Sequence, residues 1–240
     1  MKVHVIIPHY GDDGLLEKCL EGVRKNRGDF EIIEHIINNN PPNENRLFTK
    51  AINEGMREVG ADDVAWLLNN DCIPDENCVT AALKCLNDEV KAGIVGCKNI
   101  ALGDPDYIFW GGSYQCFPNG MHKTGRVSNG DLTERTQEKW ATFSSVFISG
   151  ELINEIGVLD ENMRHIFSDS DYCFRANWAG FKCFYEPESV VLHAIGSSNR
   201  GASEEIKAVM REDMQVFKLK WVDGAYMFLA EPEFYEKFIK

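Results

Sequence analysis

"WLLNNDCIP", Trp66 to Pro74, sets an apolar run directly against two amides and a carboxylate. Val64 to Leu67 suit a buried strand and lead through Leu68 into Asn69, Asn70 and Asp71. Pro74 then breaks the run. Asn and Asp are turn formers, so a plain turn is one reading. A site at the carboxyl end of a sheet strand is the other, because ligands of open parallel sheets gather there.

The flanking sequence bears on that choice. "KVHVIIP" reads as a buried strand, and "LLEKCLEGV" sets Leu15, Leu16, Cys19, Leu20 and Val23 on one helical face. "FEIIEHII" is a second strand, and "LFTKAINEGMREVG" a second helix closed by Gly60. "DVAWLL" is the third strand, "CVTAALKCLND" a third helix and "AGIVGC" a fourth strand. Strand and helix thus alternate at short intervals over the first hundred residues or so, which predicts an α/β fold with a mostly parallel sheet and helices on both faces. From Ile100 to Lys139 the pattern gives way to loops and short antiparallel strands with aromatic islands, "YIFWGG" and "YQCF". "ATFSSVFISG" and "FKCFYEP" read as strands. "ELINEIG", "SDYCFRANWAG" and "EEIKAVMREDMQVFKLKW" read as helices. One domain is expected, with a nucleotide-binding first half over 1–100, an irregular second half over 101–221 and an extension over 222–240.

The chain has 240 residues and is 44% apolar, enough for a sizeable core. Its net charge of −13 repels nucleic acid and anionic lipid. A phosphate-bearing substrate would need something local to overcome that field, and a bound cation is one candidate. Eight cysteines include no CxxC pair, which disfavours a zinc site and favours reduced, buried thiols. The start "MKVHVIIPHY" lacks a signal-peptide core, and no apolar stretch reaches membrane-spanning length. A cytoplasmic location is expected, with peripheral contact at a membrane left open.

Three strand ends carry polar loops: "PHYGDD", "NNNPPNEN" and "NND". Three together favour a site over three unrelated turns. Neither GxGxxG nor GxxxxGK[ST] occurs, which disfavours dinucleotide oxidoreductases and P-loop enzymes. Asp71 with a divalent cation is then a plausible phosphate holder, magnesium or manganese suiting Asp and His ligands. In the second half, Asp169 and Asp171 open a helix, where carboxylates also serve as caps. "VVLHAIGSSNR" ends a strand-like run in His193 and continues into Ser197, Ser198 and Arg200, a composition suited to phosphate oxygens. Trp110, Tyr114 and Phe117 suit either stacking on a sugar ring or a loop core.

The order of these pieces resembles the family 2 glycosyltransferases of the GT-A fold, the inverting group that uses nucleotide sugars. The resemblance covers about residues 2 to 200. "VHVIIPHYG" is similar to the family's opening strand and first nucleotide loop, and "LFTKAINEGMREVGADDVAWLLNND" to the stretch leading into its DxD-type metal motif. "FISGELINEIGVLDENM" resembles its acceptor-side segment, and "FSDSDYCFRANWAGFKCFYEPESVVLHAIGSS" its Glu-Asp-x-Asp helix followed by a strand ending in His.

The resemblance implies a nucleoside-diphosphate sugar donor, a glycan or glycolipid acceptor, a role in polysaccharide biosynthesis, and Mn2+ or Mg2+ as cofactor. It makes Asp71 the metal-binding carboxylate, His193 a second metal or diphosphate contact, and Asp169 the catalytic base. Pro8, His9, Tyr10 and Asn38 fall where the family holds the nucleoside. Lys50, Asn53, Asn69, Asn70, Gly150, Ser198 and Arg200 complete the expected donor side, with Trp110 and Asp171 toward the acceptor. Three positions depart from the pattern: Asn69 replaces the first DxD acid, Ser168 the Glu before the base, and Asn38 an Asp that contacts the nucleobase. Two rival readings are a phosphoesterase built on Asp71, Asp169, Asp171 and His193, and a binding module of the same fold without activity.

Overall fold

The structure is a computed structural model, and it describes residues 1–115, 121–195 and 203–223. Among the described residues, twelve strands and six α-helices follow in chain order. The first half runs β1 (Lys2–His9), α1 (Asp13–Lys25), β2 (Glu31–Asn38), α2 (Leu47–Met56), β3 (Val64–Leu68), β4 (Cys72–Pro74), α3 (Cys78–Asp88) and β5 (Ala92–Ala101). Next come β6 (Asp104–Trp110), β7 (Ser113–Gln115), β8 (Met121–His122), β9 (Gly125–Arg126), β10 (Thr136–Glu138) and β11 (Ser145–Ser149). Then follow α4 (Gly150–Ile156), α5 (Ser168–Trp178), β12 (Lys182–His193) and α6 (Glu204–Phe217), which passes into a π-helical turn, Lys218–Val222.

The main sheet has the order β10-β12-β5-β11-β3-β1-β2. β1 pairs in parallel with β2 and β3, and β12 with β5. β11 is antiparallel to both β3 and β5, so those two run the same way. Five strands therefore deliver their carboxyl ends to one edge, and β11 begins at that edge. β4, β6 and β9 extend the sheet antiparallel, β6 and β9 within the irregular middle of the chain where short antiparallel strands are expected.

Alternation along the central strands explains why helices cover both faces. Val3, Val5, Ile7, Trp66 and Leu68 pack with Cys19 and Val23 of α1 and Cys78 and Ala82 of α3. Ile6, Ala65 and Leu67 face the other way, toward Ile52 of α2, Tyr172 of α5, and Phe217 and Trp221 in α6 and the turn that continues it. Both sets of side chains are fully buried, and continuous apolar runs are what such strands require. Seven cysteines are free thiols in these cores; Cys116 lies outside the described residues.

One boundary differs from expectation. "FKCFYEP" and "VVLH" form one strand, β12, because a bulge between Glu186 and Val190 absorbs the polar interruption while pairing with β5 continues. The terminal helix, whose docking place the sequence leaves open, packs on its own domain: Phe217 and Trp221 are buried, and Phe174 lies edge-on to Trp221 at 5.0 Å. Among the described residues, no helix is long and apolar enough to cross a membrane.

Candidate active site

The carboxyl edge of the sheet opens into a cleft of about 470 Å³. Pro8 is the penultimate residue of β1 and Tyr10 lies just beyond it, Asn39 follows β2, Asn69, Asn70 and Asp71 follow β3, and His193 ends β12. Thr142, Phe143 and Ser144, ahead of β11, line the floor, and His165 to Asp169 form the wall opposite. The chain topology thus gathers into one space residues that are far apart in sequence.

The Asn-Asn-Asp turn is held from several sides. The Asn69 N–H donates to Ser144 O at 2.8 Å, and the Asn69 carbonyl accepts from Cys72 N at 3.0 Å. Asn70 is buried; its amide lies 3.1 Å from His9 Nδ1 and donates to Tyr10 O at 3.2 Å. The other His9 nitrogen, Nε2, lies 2.7 Å from Asp13 Oδ1. His9 is therefore a brace that joins the first loop to the third. The Asp71 carbonyl accepts from Ala194 N at 3.0 Å, which ties the turn to the end of β12. Its side chain then lies beside His193, with Oδ1 and Nε2 3.5 Å apart.

Asp71, Cys72 and His193 offer ligand atoms that lie within 4.8 Å of one another. His193 is buried, and its Nδ1 has no hydrogen-bond partner. Burial pushes the Cys72 thiol well up from its usual range, so it stays protonated and makes a poor ligand for a hard cation. The carboxylate and the imidazole fit a hard or borderline divalent cation, and the open cleft leaves space for substrate oxygens.

Asp169 faces the same cleft from the first turn of α5. Desolvation pushes its carboxyl up from 3.8 to about 6, against smaller lowering effects of backbone amides, Ser170 and Trp140. Its Oδ1 accepts from Ser170 N at 2.7 Å, so part of the expected capping contact is present. The residue before the helix, Phe167, adopts φ 65 and caps nothing with its side chain. A carboxylate tuned near neutrality in a cleft suits general base work.

Several expected site residues lie elsewhere. Asn38 is exposed beside the cleft, and Oδ1 accepts from Asn40 N at 2.9 Å; Asn39, one residue on, turns inward and is buried. Lys50 points to solvent from α2. Asn53 is buried in a structural clasp: its amide donates to Leu159 O at 2.9 Å and its Oδ1 accepts from Leu159 N at 2.9 Å. Gly150 sits at the opposite edge of the sheet, because β11 runs antiparallel and ends beside the start of β3. Its N–H donates to Asp63 O at 2.8 Å, and a Cβ there would collide with the Gly60 carbonyl. Trp110 is core, edge-on to Tyr185 at 5.6 Å and to Trp140 at 6.4 Å. Asp171 turns away from the cleft and is fully buried, its Oδ2 accepting from Arg175 Nε at 2.9 Å. Its Oδ1 accepts from Trp221 Nε1 at 2.9 Å and lies 2.7 Å from Lys220 Nζ. Tyr114 is exposed and does not line the cleft. Ser198, Arg200 and Phe117 lie outside the described residues.

The cleft also holds residues that the sequence did not single out: Asn39, Asn45, Phe109, Thr142 to Ser144, Ile166 and Phe167. Asn39 belongs to the polar loop "NNNPPNEN" that the sequence points to, one residue beyond Asn38. Phe109 required knowing which face of β6 turns inward: Trp110 faces the core, so its neighbour reaches the cleft and lies edge-on to His193 at 5.8 Å.

No protein-family model matches the sequence, and no curated protein matches it. Solved structures do. One is the crystal structure of GalNAc-T7 with UDP, GalNAc and Mn2+, at TM-score 0.66 and 15% identity, over 94% of this chain. The chain spans about half of that protein, 49% of its length. Another is the mannosyltransferase PcManGT from Pyrobaculum calidifontis in complex with GDP-Man and Mn2+, at TM-score 0.55 and 13% identity, over 95% of this chain and 72% of that one. At such identities the likeness is one of fold, and the mostly parallel sheet with helices on both faces is the GT-A glycosyltransferase fold.

Proposed function

We propose that this protein is an inverting glycosyltransferase that moves a sugar from a nucleoside-diphosphate donor to an acceptor hydroxyl. The observation that carries the reading is one cleft lined by the Asp71–His193 pair and by Asp169, whose carboxyl is raised to about 6. The two structural neighbours support it, since one was determined with UDP, GalNAc and Mn2+ and the other with GDP-Man and Mn2+.

In this mechanism Pro8, Tyr10 and Asn39 bound the nucleoside side of the cleft. Asp71 and His193 would hold a divalent cation, which would offset the negative charge of the leaving diphosphate. Asp169 takes the proton from the acceptor hydroxyl as the oxygen forms its bond to the anomeric carbon. The bond from that carbon to the diphosphate oxygen breaks, and the nucleoside diphosphate leaves with the electron pair. The oxygen attacks from the face opposite the leaving group, so the anomeric configuration inverts. No covalent sugar–enzyme intermediate is required. The phosphoesterase reading loses one of its four groups, because Asp171 is taken up by Arg175, Lys220 and Trp221.

The test is transfer itself. UDP-, dTDP- and GDP-sugars are offered with hydroxyl acceptors and Mn2+, and the product linkage is read by proton NMR. An α-linked donor is expected to give a β-linked product. A product with retained configuration would rule out single displacement, and release of free sugar with equal efficiency in the absence of acceptor would favour a hydrolase.

A further inference from the structure

The cleft wall that carries Asp169 is fastened from behind by a carboxylate outside the cleft. Asp213 lies on α6, 44 residues beyond Asp169, and is fully buried. Its Oδ2 accepts from two successive backbone N–H groups, His165 at 2.6 Å and Ile166 at 3.0 Å. Its Oδ1 has no hydrogen bond, and Arg164 Nε stands 3.8 Å away. The next residue, Phe167, takes the left-handed φ of 65 that swings the chain into α5. Phe167 also stacks on Phe217 of α6 at 4.8 Å. Helix α6 thus holds the turn by its backbone and by its ring, two residues before the carboxylate that faces the cleft.

Burying a carboxylate is costly unless hydrogen bonds repay it, and neutral side chains satisfy two amides with less desolvation. A carboxyl group here is therefore more than filler. Two converging amides fix the direction in which the turn leaves, and through it the position of the first turn of α5. We propose that Asp213 is a positioning residue for the transfer reaction, which acts through Asp169 by fixing the His165–Phe167 turn. This rests on Asp169 being the base of the proposed reaction. A catalytic group needs its geometry held to fractions of an ångström, and a small displacement lowers rate far more than binding.

Asp213→Asn, Asp213→Ala, Asp169→Asn and the double variant Asp169→Asn/Asp213→Asn are compared in the full-length chain. The assay measures transfer under donor saturation and manganese, and circular dichroism establishes that each variant is folded at the assay temperature. The expected result is a kcat that falls about tenfold in Asp213→Asn and further in Asp213→Ala, with donor KM changed less than about twofold. In the double variant the second substitution is expected to add no further loss, because its effect is exerted through a base already removed. Should Asp213→Ala not fold, Asp213→Asn and the double variant decide the matter alone. Parent-like kcat in a folded Asp213→Asn, or equal losses on the parent and Asp169→Asn backgrounds, would overturn the proposal and leave Asp213 a structural residue. Full activity of Asp169→Asn itself would instead remove the assignment of the base, a distinct outcome read from a different variant.

Discussion

Asp169 can be told from a helix cap by substitution, because Asn caps nearly as well as Asp but cannot take a proton at neutral pH. Asp169→Asn is expected to keep donor affinity and lose about a hundredfold or more in turnover. The pH dependence gives an independent check. The folded carboxyl titrates near 6 and its ordinary value is 3.8, so between those values the native state holds a proton that the unfolded chain has released. The parent's stability therefore falls as pH rises through that window. Above pH 6 Asp169→Asn should be more stable than the parent by about 1 to 3 kcal/mol, the span reflecting partial access to the cleft. That gain should vanish near pH 4. Thermal melts of both proteins across pH 4 to 8 would show it, and a gain independent of pH would mean that the carboxyl is not raised. Turnover of the parent should fall about tenfold for each unit below pH 6, as the base becomes protonated.

At the scale of elements, the sequence was read best where one interaction dominated. Val64 to Leu68 had to be a central strand, because an apolar run of that length between helical patterns has few other places to go, and β3 occupies those residues. α3 likewise spans Cys78–Asp88 as its apolar spacing required. What failed was direction. β11 was recognised as a strand, but its antiparallel insertion between β3 and β5 places Gly150 at the far edge from the cleft. Pairing direction depends on partners remote in sequence, and nothing local in "ATFSSVFISG" encodes it. Asp171 failed for a related reason. Two residues after Asp169 on a helix, it must point elsewhere, and only the arrival of Lys220 and Trp221 from the chain's end defines that place. Here an element-scale prediction follows. Asp171→Ala leaves Arg175 and Lys220 without their shared carboxylate and should destabilise the fold by about 3 to 5 kcal/mol, the scale of a broken buried pair. Urea denaturation followed by tryptophan fluorescence measures it. A loss below about 1 kcal/mol would show that Asp171 adds little to the hold that Asp213, the Lys220–Asp160 pair and the packing of Phe217 and Trp221 already give the helix.

At the scale of the whole molecule, charge sets the terms on which an anionic donor can enter. The chain carries a formal net charge of −13, and the cleft lining itself includes Asp71 and Asp169 against His193 and His165. A nucleoside diphosphate brings further negative charge to that field. The sequence has no Gly-rich phosphate loop, and on the proposed reading a cation held at the Asp71–His193 pair supplies the attraction. Affinity for nucleoside diphosphate should therefore be coupled to divalent metal. Calorimetric titration of the preferred diphosphate with manganese present, and again with chelator, is expected to differ by about tenfold or more, which is 1.4 kcal/mol of coupling. Linkage makes the coupling reciprocal: the nucleotide should tighten manganese binding by the same factor. Asp71→Asn keeps the size of the side chain and the backbone bond to Ala194, but removes the charge that the cation needs. In that variant the two titrations should converge on the weak value. Equal affinity with manganese and with chelator in the parent would sink the metal role of Asp71. Coupling that persists undiminished in Asp71→Asn would move the cation to another part of the cleft.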